Sequence, residues 1–256
     1  MTGKHVPAVL AEAELRARRL SAGTELRLPP GTILTPGARD YCAEHGLRII
    51  ESLAAPGGDP AEMPMDLSAE GRPGARYVDA VTGCPMTEKP EHMTHLSGNR
   101  LVPKTHPRIR LRGKLDSLEA ALLCAQRQAQ DGGRTETAAG LADCFALTQR
   151  LLGAEVKGSS PGAFSLLGMD PDRLRYVTHH VPEEFGIPHP APHAGMGALC
   201  LTLNALRTQV RETELAAAEA YAGHREPTGD GILLALNRMS SAVYILFLRE
   251  WKAGNG

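Results

Sequence analysis

Aromatic side chains are scarce in this sequence, at 4% with a single tryptophan, Trp251, and this disfavours a β-sandwich, whose packed faces draw on aromatic and β-branched residues. Long apolar runs are missing as well. None approaches the roughly 20 residues needed to span a bilayer, and the opening MTGKHVPAVLAEAELRARRL lacks the apolar stretch and small-residue cleavage site of a secretory signal. A cytoplasmic protein with no membrane partner is the expectation. Charge of one sign is lacking too: a formal net charge of -1 fits neither a basic nucleic-acid binder nor an acidic disordered tail. The five cysteines, Cys42, Cys84, Cys124, Cys144 and Cys200, are odd in number and contain no CxxC, so neither a disulfide framework nor a compact zinc knuckle is encoded. Cys124, Cys144 and Cys200 lie in apolar helical contexts and are expected in the core. No GxxxxGK[ST], no complete GxGxxG after a strand, no HExxH and no GxSxG occurs, which argues against the common nucleotide-binding and hydrolase folds.

What is present reads as helix. Periodicity predicts a first helix over residues 7–21, a strand in "TELRL", a helix begun at Thr35-Pro36 and stopped at Gly46, and a second strand. Residues 1–54 thus form a small α/β appendage. Residues 55–76, rich in Pro and Gly without periodicity, read as a linker. Residues 77–256 form the main body, which opens on a polar loop up to a helix near residue 107. That helix repeats Leu111, Leu115, Leu118 and Leu122 at core spacing. Further helices are expected over 134–154, with Leu141, Cys144, Phe145 and Leu152 on one face, then 171–180, 194–223 and 228–252. Four long helices make a mainly α, antiparallel bundle the expected architecture.

Two features carry chemistry. In "LRTQVRETELAAAEA" (206–220), Arg207, Arg211, Glu214 and Ala218 fall within about 60° of one another, beside an apolar stripe of Leu203, Leu206, Val210, Ala217 and Tyr221. The charged stripe is either a set of surface pairs, worth about 0.3 to 0.5 kcal/mol each, or one wall of an anion site. In "ILLALNRMSSAVYILFL", Asn237 and Arg238 interrupt an apolar helix, where unpaired buried amides cost on the order of 1 to 3 kcal/mol. They call for specific partners, in an inter-helix network or in a cavity shared with Arg207, Arg211 and Glu214. The histidines His92, His95, His106, His179, His180, His189 and His193 cluster in two loop regions, as metal ligands or as solvated and hydrogen-bonded side chains.

Taken together, "RLVPKTHPRIRLRGKLDSLEAALLCAQ", "LRTQVRETELAAAEAY" and "ILLALNRMSSAVYIL" resemble the cobalamin adenosyltransferase family, and "LRLPPGTILTPGARDYCAEHGLRI", "KPEHMTHLSGNRLVPK" and "FGIPHPAPH" resemble its ethanolamine-utilization branch over nearly the whole chain. The resemblance implies an enzyme that moves the 5′-deoxyadenosyl group of ATP to Co(I) of reduced cobalamin and releases tripolyphosphate, with Mg²⁺. It implies a homo-oligomer, trimeric in the family with dimers in this branch. It also implies a flavoprotein reductase as electron donor, and ethanolamine ammonia-lyase or a bacterial microcompartment as a further partner. By motif, Lys104 and Arg211 match the phosphate-binding cations. Arg207 and Glu214 match their helix companions, Asp116 the acidic residue that pairs with arginine across a subunit boundary, and Asn237 the residue beside the nucleotide, followed by Arg238. His106 lies in the matching segment. The Gly/Thr-rich N-terminal phosphate segment of the propanediol-utilization type is missing; Thr94, His95, Ser97 and Asn99 are candidates to replace it. Phe185 is the candidate apolar wall against the corrinoid, or a simple loop-packing residue. Several branch members carry a His with a Cys-Cys-x-x-Cys cluster, of which only Cys84 remains here, so no tightly bound Zn or Fe is expected. The alternatives are a non-catalytic bundle that binds nucleotide or corrinoid as a sensor or chaperone, and a purely structural assembly protein.

Overall fold

The computed structural model describes residues 9–10, 12, 15–16, 24–28, 32–51, 75–223 and 226–255. The chain divides into two compact units, residues 1–104 and 105–256.

In the first unit, strand β1 (Val9–Leu10) pairs in parallel with β3 (Ile33–Leu34), and β2 (Glu25–Leu28) in parallel with β4 (Arg48–Glu51). Helix α1 (Pro36–Glu44) begins where Thr35 Oγ1 accepts from the Ala38 N–H at 3.3 Å, with Pro36 in the first turn, where a missing N–H costs nothing. It stops just before Gly46, whose φ of 63° suits glycine. Ala38, Tyr41 and Cys42 of α1 pack with Leu10, Leu15, Leu26 and Leu47 into a small core that also contains Cys84. The helix expected over 7–21 is corrected at its start, where Val9–Leu10 is strand because Ile33–Leu34 offers a parallel partner. Glu12, Leu15 and Arg16 are helical, with Glu12 and Arg16 paired at 2.7 Å, and the rest lies outside the described residues. The expected linker, residues 55–76, lies outside them too, except for its last two positions.

The polar loop expected before residue 107 is instead a sheet. Strands β5 (Tyr77–Asp79), β6 (Pro85–Met86), β7 (Met93–Ser97) and β8 (Arg100–Pro103) lie in the order β6-β5-β8-β7, with β5 and β8 parallel and the other pairs antiparallel. These strands are two to five residues long, and only scattered positions such as Val78, Met93, Leu101 and Val102 are buried. That leaves too little apolar alternation to read as strand. Turn chemistry completes them: Asp79 Oδ1 accepts from the Val81 N–H at 2.8 Å, and Gly98 takes a φ of 53° at the β7–β8 hairpin.

The second unit is helical: α2 (Pro107–Asp131), α3 (Thr135–Lys157), α4 (Pro171–His179), α5 (Val181–Phe185), α6 (Ala198–Ala220) and α7 (Pro227–Asn255). The four long helices close a ring in which α2 packs on α3 and α6, and α7 packs on α6 and α3, so the chain is mainly α with a small α/β part. Leu111, Leu115, Leu118 and Leu122 are all fully buried, as their spacing requires, together with Leu141, Cys144, Leu203 and Val210. Cys200 joins this core, but Cys124 is exposed. It falls off the Leu118–Leu122–Ala125 stripe onto the outer face of α2, as Leu123 does at 47% exposure. Helix α7 is the most apolar element, with a mean hydropathy of 1.6 over a window that is 61% buried. Its side chains Leu236, Val243, Leu246 and Phe247 fill the centre of the bundle.

Candidate active site

A groove of about 480 Å³ runs between α6 and α7, within the range of small-molecule sites. Helix periodicity builds both walls. On α6, positions 207, 211, 214 and 218 share one stripe, so Arg207, Arg211, Glu214 and Ala218 face the groove together while Leu206, Val210 and Ala217 go into the core. On α7, positions 237, 240, 241 and 244 share a stripe by the same rule, and Asn237, Ser240, Ser241 and Tyr244 form the opposite wall. Thr178 and His179, at the end of α4, close one side.

The electrostatics of this groove are unbalanced. Glu214 is its one carboxylate among the described residues, and it is held by Asn237, whose Nδ2 donates to Oε1 at 2.9 Å. Arg207 has neutral partners: its Nη2 donates to Asn204 Oδ1 at 3.2 Å, and its guanidinium lies 5.8 Å from the centre of the Tyr244 ring. Arg211 is exposed and has no ion-pair or hydrogen-bond partner among the described residues. Two guanidiniums therefore face the groove without an anion, an arrangement suited to a bound polyanion. Burial pushes the Tyr244 hydroxyl above its usual range, against the opposing pull of Arg207, so it stays protonated and shares a 2.9 Å hydrogen bond with His189 Nδ1.

The sequence places Asn237 and Arg238 as buried polar groups, and the structure corrects this. Asn237 is exposed on the groove wall and Arg238 is half-buried, because α7 leaves one face uncovered, where Leu234 is also 43% exposed. Arg238 sits behind Asn237 and donates from Nη1 to its Oδ1, with Nε buried and unpartnered. Tyr244, Thr178 and His179 are groove residues that motif reading missed. The signal for Tyr244 was available in its seven-residue spacing from Asn237.

The remaining candidates lie elsewhere. Asp116 is exposed on α2 and does not line the groove. Phe185 ends α5 half-buried against the main core, its carbonyl accepting from Lys252 Nζ at 2.9 Å. In the first unit, Lys104 pairs with Glu91 at 2.8 Å, and His95 Nδ1 lies 2.9 Å from the Gly98 carbonyl. Thr94 is half-buried there, and Ser97 and Asn99 are exposed. Among the described residues no cluster of three or more His, Cys, Asp or Glu gathers as a metal site.

His106 does structural work, capping α2 by accepting from the Arg108 N–H at Nδ1, 3.1 Å away. Burial, and then the Arg108 charge, lowers its pKa from the usual 6.5, against the opposing effect of Glu155. The unfolded chain therefore binds this proton first as pH falls. The cap contributes fully above about pH 6.5, and its stability is lost as pH drops towards the lowered folded value. His106→Asn, which retains an acceptor without titrating, is expected to flatten this part of a melting-temperature profile between pH 7 and 5; an unchanged slope would assign it to other groups.

A second polar feature escaped sequence reading altogether. Glu155, fully buried near the end of α3, accepts from Arg108 Nε and Arg112 Nε, and Arg108 Nη2 reaches its backbone carbonyl at 2.8 Å. The Arg108 guanidinium also lies 4.9 Å from the centre of the Tyr221 ring. This triad ties the start of α2 to the end of α3, away from the groove lining.

Comparison with known proteins identifies the family. The cobalamin adenosyltransferase family model matches residues 86–250. The chain is 31% identical over 249 residues to the corrinoid adenosyltransferase EutT of Escherichia coli K12, covering 93% of this chain and 91% of that protein. It is also 31% identical over 250 residues to the EutT of Salmonella typhimurium, with the same coverage. No solved structure matches. The chain belongs to the cobalamin adenosyltransferase family, on its ethanolamine-utilization branch, and is an enzyme that transfers an adenosyl group to a corrinoid.

Proposed function

We propose that the adenosyl donor is ATP and that the groove between α6 and α7 holds it. Co(I) of the reduced corrinoid attacks C5′ of ATP, a Co–C bond forms, the C5′–O bond breaks, and tripolyphosphate leaves with the bonding pair. The observation that carries this reading is the pair of guanidiniums, Arg207 and Arg211, facing one groove with no carboxylate of their own.

Co(I) is already a strong nucleophile, so no general base is required of the protein. Alignment of C5′ with cobalt and stabilisation of the charge that grows on the leaving triphosphate are the tasks left to it. Arg211 and Arg207 meet the phosphates. Asn237, Ser240 and Ser241 supply hydrogen bonds on the opposite wall, where a nucleoside presents donors and acceptors. Mg²⁺ fits this set of residues as a companion of the substrate: with Glu214 the one carboxylate in the groove, phosphate oxygens and water would supply most of its ligands, as is usual for Mg²⁺. The resemblance further supports a cytoplasmic homo-oligomer that receives electrons from a flavoprotein reductase. It also supports delivery of adenosylcobalamin to ethanolamine ammonia-lyase, at or in a microcompartment.

The test is anaerobic incubation with ATP, Mg²⁺ and chemically reduced cobalamin. The expected product is an alkylcobalamin whose spectrum reverts on illumination. Binding of ATP without turnover under these conditions would establish the sensor or chaperone reading instead.

A further inference from the structure

Glu214 is the one negative charge in a groove that is to receive a polyanion, and its position decides how much positive charge the groove offers. A carboxylate one helical turn from Arg211, with Arg207 two turns away on the same stripe, would ordinarily pair with a guanidinium. It does not do so here. Its Oε1 is taken by the Asn237 amide at 2.9 Å, and neither arginine has a carboxylate partner among the described residues.

The direction of that amide is set from behind. A carboxamide has one accepting and one donating end, and only the donating end can bind a carboxylate. Arg238 Nη1 donates to Asn237 Oδ1, and a guanidinium has no acceptor, so Oδ1 must face Arg238 and Nδ2 must face Glu214. Neighbouring Ser240 bonds to the Asn237 backbone carbonyl at 2.8 Å and leaves the side chain free for this relay. Arg238 has no carboxylate partner of its own among the described residues, its Nε is buried without a partner, and it does not line the groove. Its reach is spent on Asn237.

We propose that Arg238 is a positioning residue: through Asn237 it holds Glu214 away from Arg211 and Arg207 and so keeps both guanidiniums unneutralised for the triphosphate. Without Arg238 the amide is free to turn over. Glu214 then loses its donor and pairs with Arg211, three residues away on the same helix face, and the anion site is quenched from within. This role rests on the reading of the groove as a triphosphate site, yet it can be tested without turnover.

Inorganic tripolyphosphate is the probe, titrated calorimetrically into the 256-residue chain. Arg238→Met keeps the length of the stem and removes the donor. It is expected to weaken tripolyphosphate binding about tenfold or more. In a Glu214→Gln background, where no carboxylate remains to quench the arginines, the same substitution is expected to cost less than about twofold. A residue that merely supports the fold would lose affinity equally in both backgrounds, so the dependence on Glu214 is the discriminating readout. Asn237 is exposed, so Asn237→Ser cuts the same relay one link further on in a chain that folds even where Arg238→Met does not; the same pattern is expected. Equal losses in the two backgrounds, no loss in either, or no measurable binding by the unchanged chain would overturn the proposal. If the unchanged chain makes no alkylcobalamin but the Glu214-dependent pattern appears, the reading of the reaction fails and the relay stands.

Discussion

Arg211→Ala is expected to lower kcat/KM for ATP by about 10² to 10³-fold, roughly 3 to 4 kcal/mol of transition-state stabilisation, and to leave the bundle folded. Arg211 is exposed and has no intramolecular ion-pair or hydrogen-bond partner among the described residues, so its removal breaks no contact that holds α6 to its neighbours. Those contacts belong to Leu203, Leu206, Val210 and Ala217. Loss of a solvated arginine of this kind changes stability by no more than about 0.5 kcal/mol. The two effects separate cleanly in one experiment: steady-state kinetics at varied ATP beside a thermal melt. A charge that builds on the leaving triphosphate would make kcat fall along with kcat/KM, whereas an arginine that binds ground state and transition state alike would raise KM alone. A loss below about threefold in every parameter would return Arg211 to the class of solvated surface charges.

The opposite profile is expected for Glu155→Ala. Glu155 is fully buried between two guanidiniums whose side chains are 21% and 17% exposed. Removing it leaves two largely desolvated cations close together without the carboxylate that sits between them. Breaking a buried ion pair from one side costs about 3 to 5 kcal/mol, which for a domain of this size corresponds to a fall in Tm of roughly 10 °C. The loss arises from the stranded charges more than from the missing bonds. Replacing Arg108 and Arg112 with methionine alongside Glu155→Leu is therefore expected to recover much of the stability, because an apolar trio of similar volume leaves no buried charge at this position. A Glu155→Ala chain that melts within about 2 °C of the unchanged one would mean that water reaches the triad freely.

These two residues also mark what the sequence discloses and what it hides. The Leu111–Leu115–Leu118–Leu122 stripe and the α6 stripe are local: 100° per residue places side chains on a face whatever the neighbouring helix does, and both faces appear where periodicity puts them. The groove wall on α7 was half legible, because Asn237 stands out in an apolar run while Tyr244, two turns further on, looks like any core aromatic. The partner of Glu214 was not legible. A carboxylate three residues from Arg211 reads as its ion-pair partner, and only the approach of α7 brings in Asn237 as a competitor. Glu155 was invisible for the same reason, since its partners lie 43 and 47 residues away and no local pattern distinguishes it from a solvated helix-end acid. The β5–β8 sheet failed for a different cause. Its strands are short enough that pairing and turn chemistry, chiefly Asp79 and Gly98, decide the structure with little help from hydrophobic alternation.

The central claim is that Co(I) displaces intact tripolyphosphate from C5′ of ATP in the α6–α7 groove. It is tested most directly by the stoichiometry of products in a single anaerobic turnover with enzyme in excess over reduced cobalamin. One tripolyphosphate is expected per adenosylcobalamin formed, with both products lost together in Arg211→Ala. Orthophosphate and diphosphate appearing in its place as primary products, or adenosylcobalamin formation that is indifferent to Arg211, would contradict it.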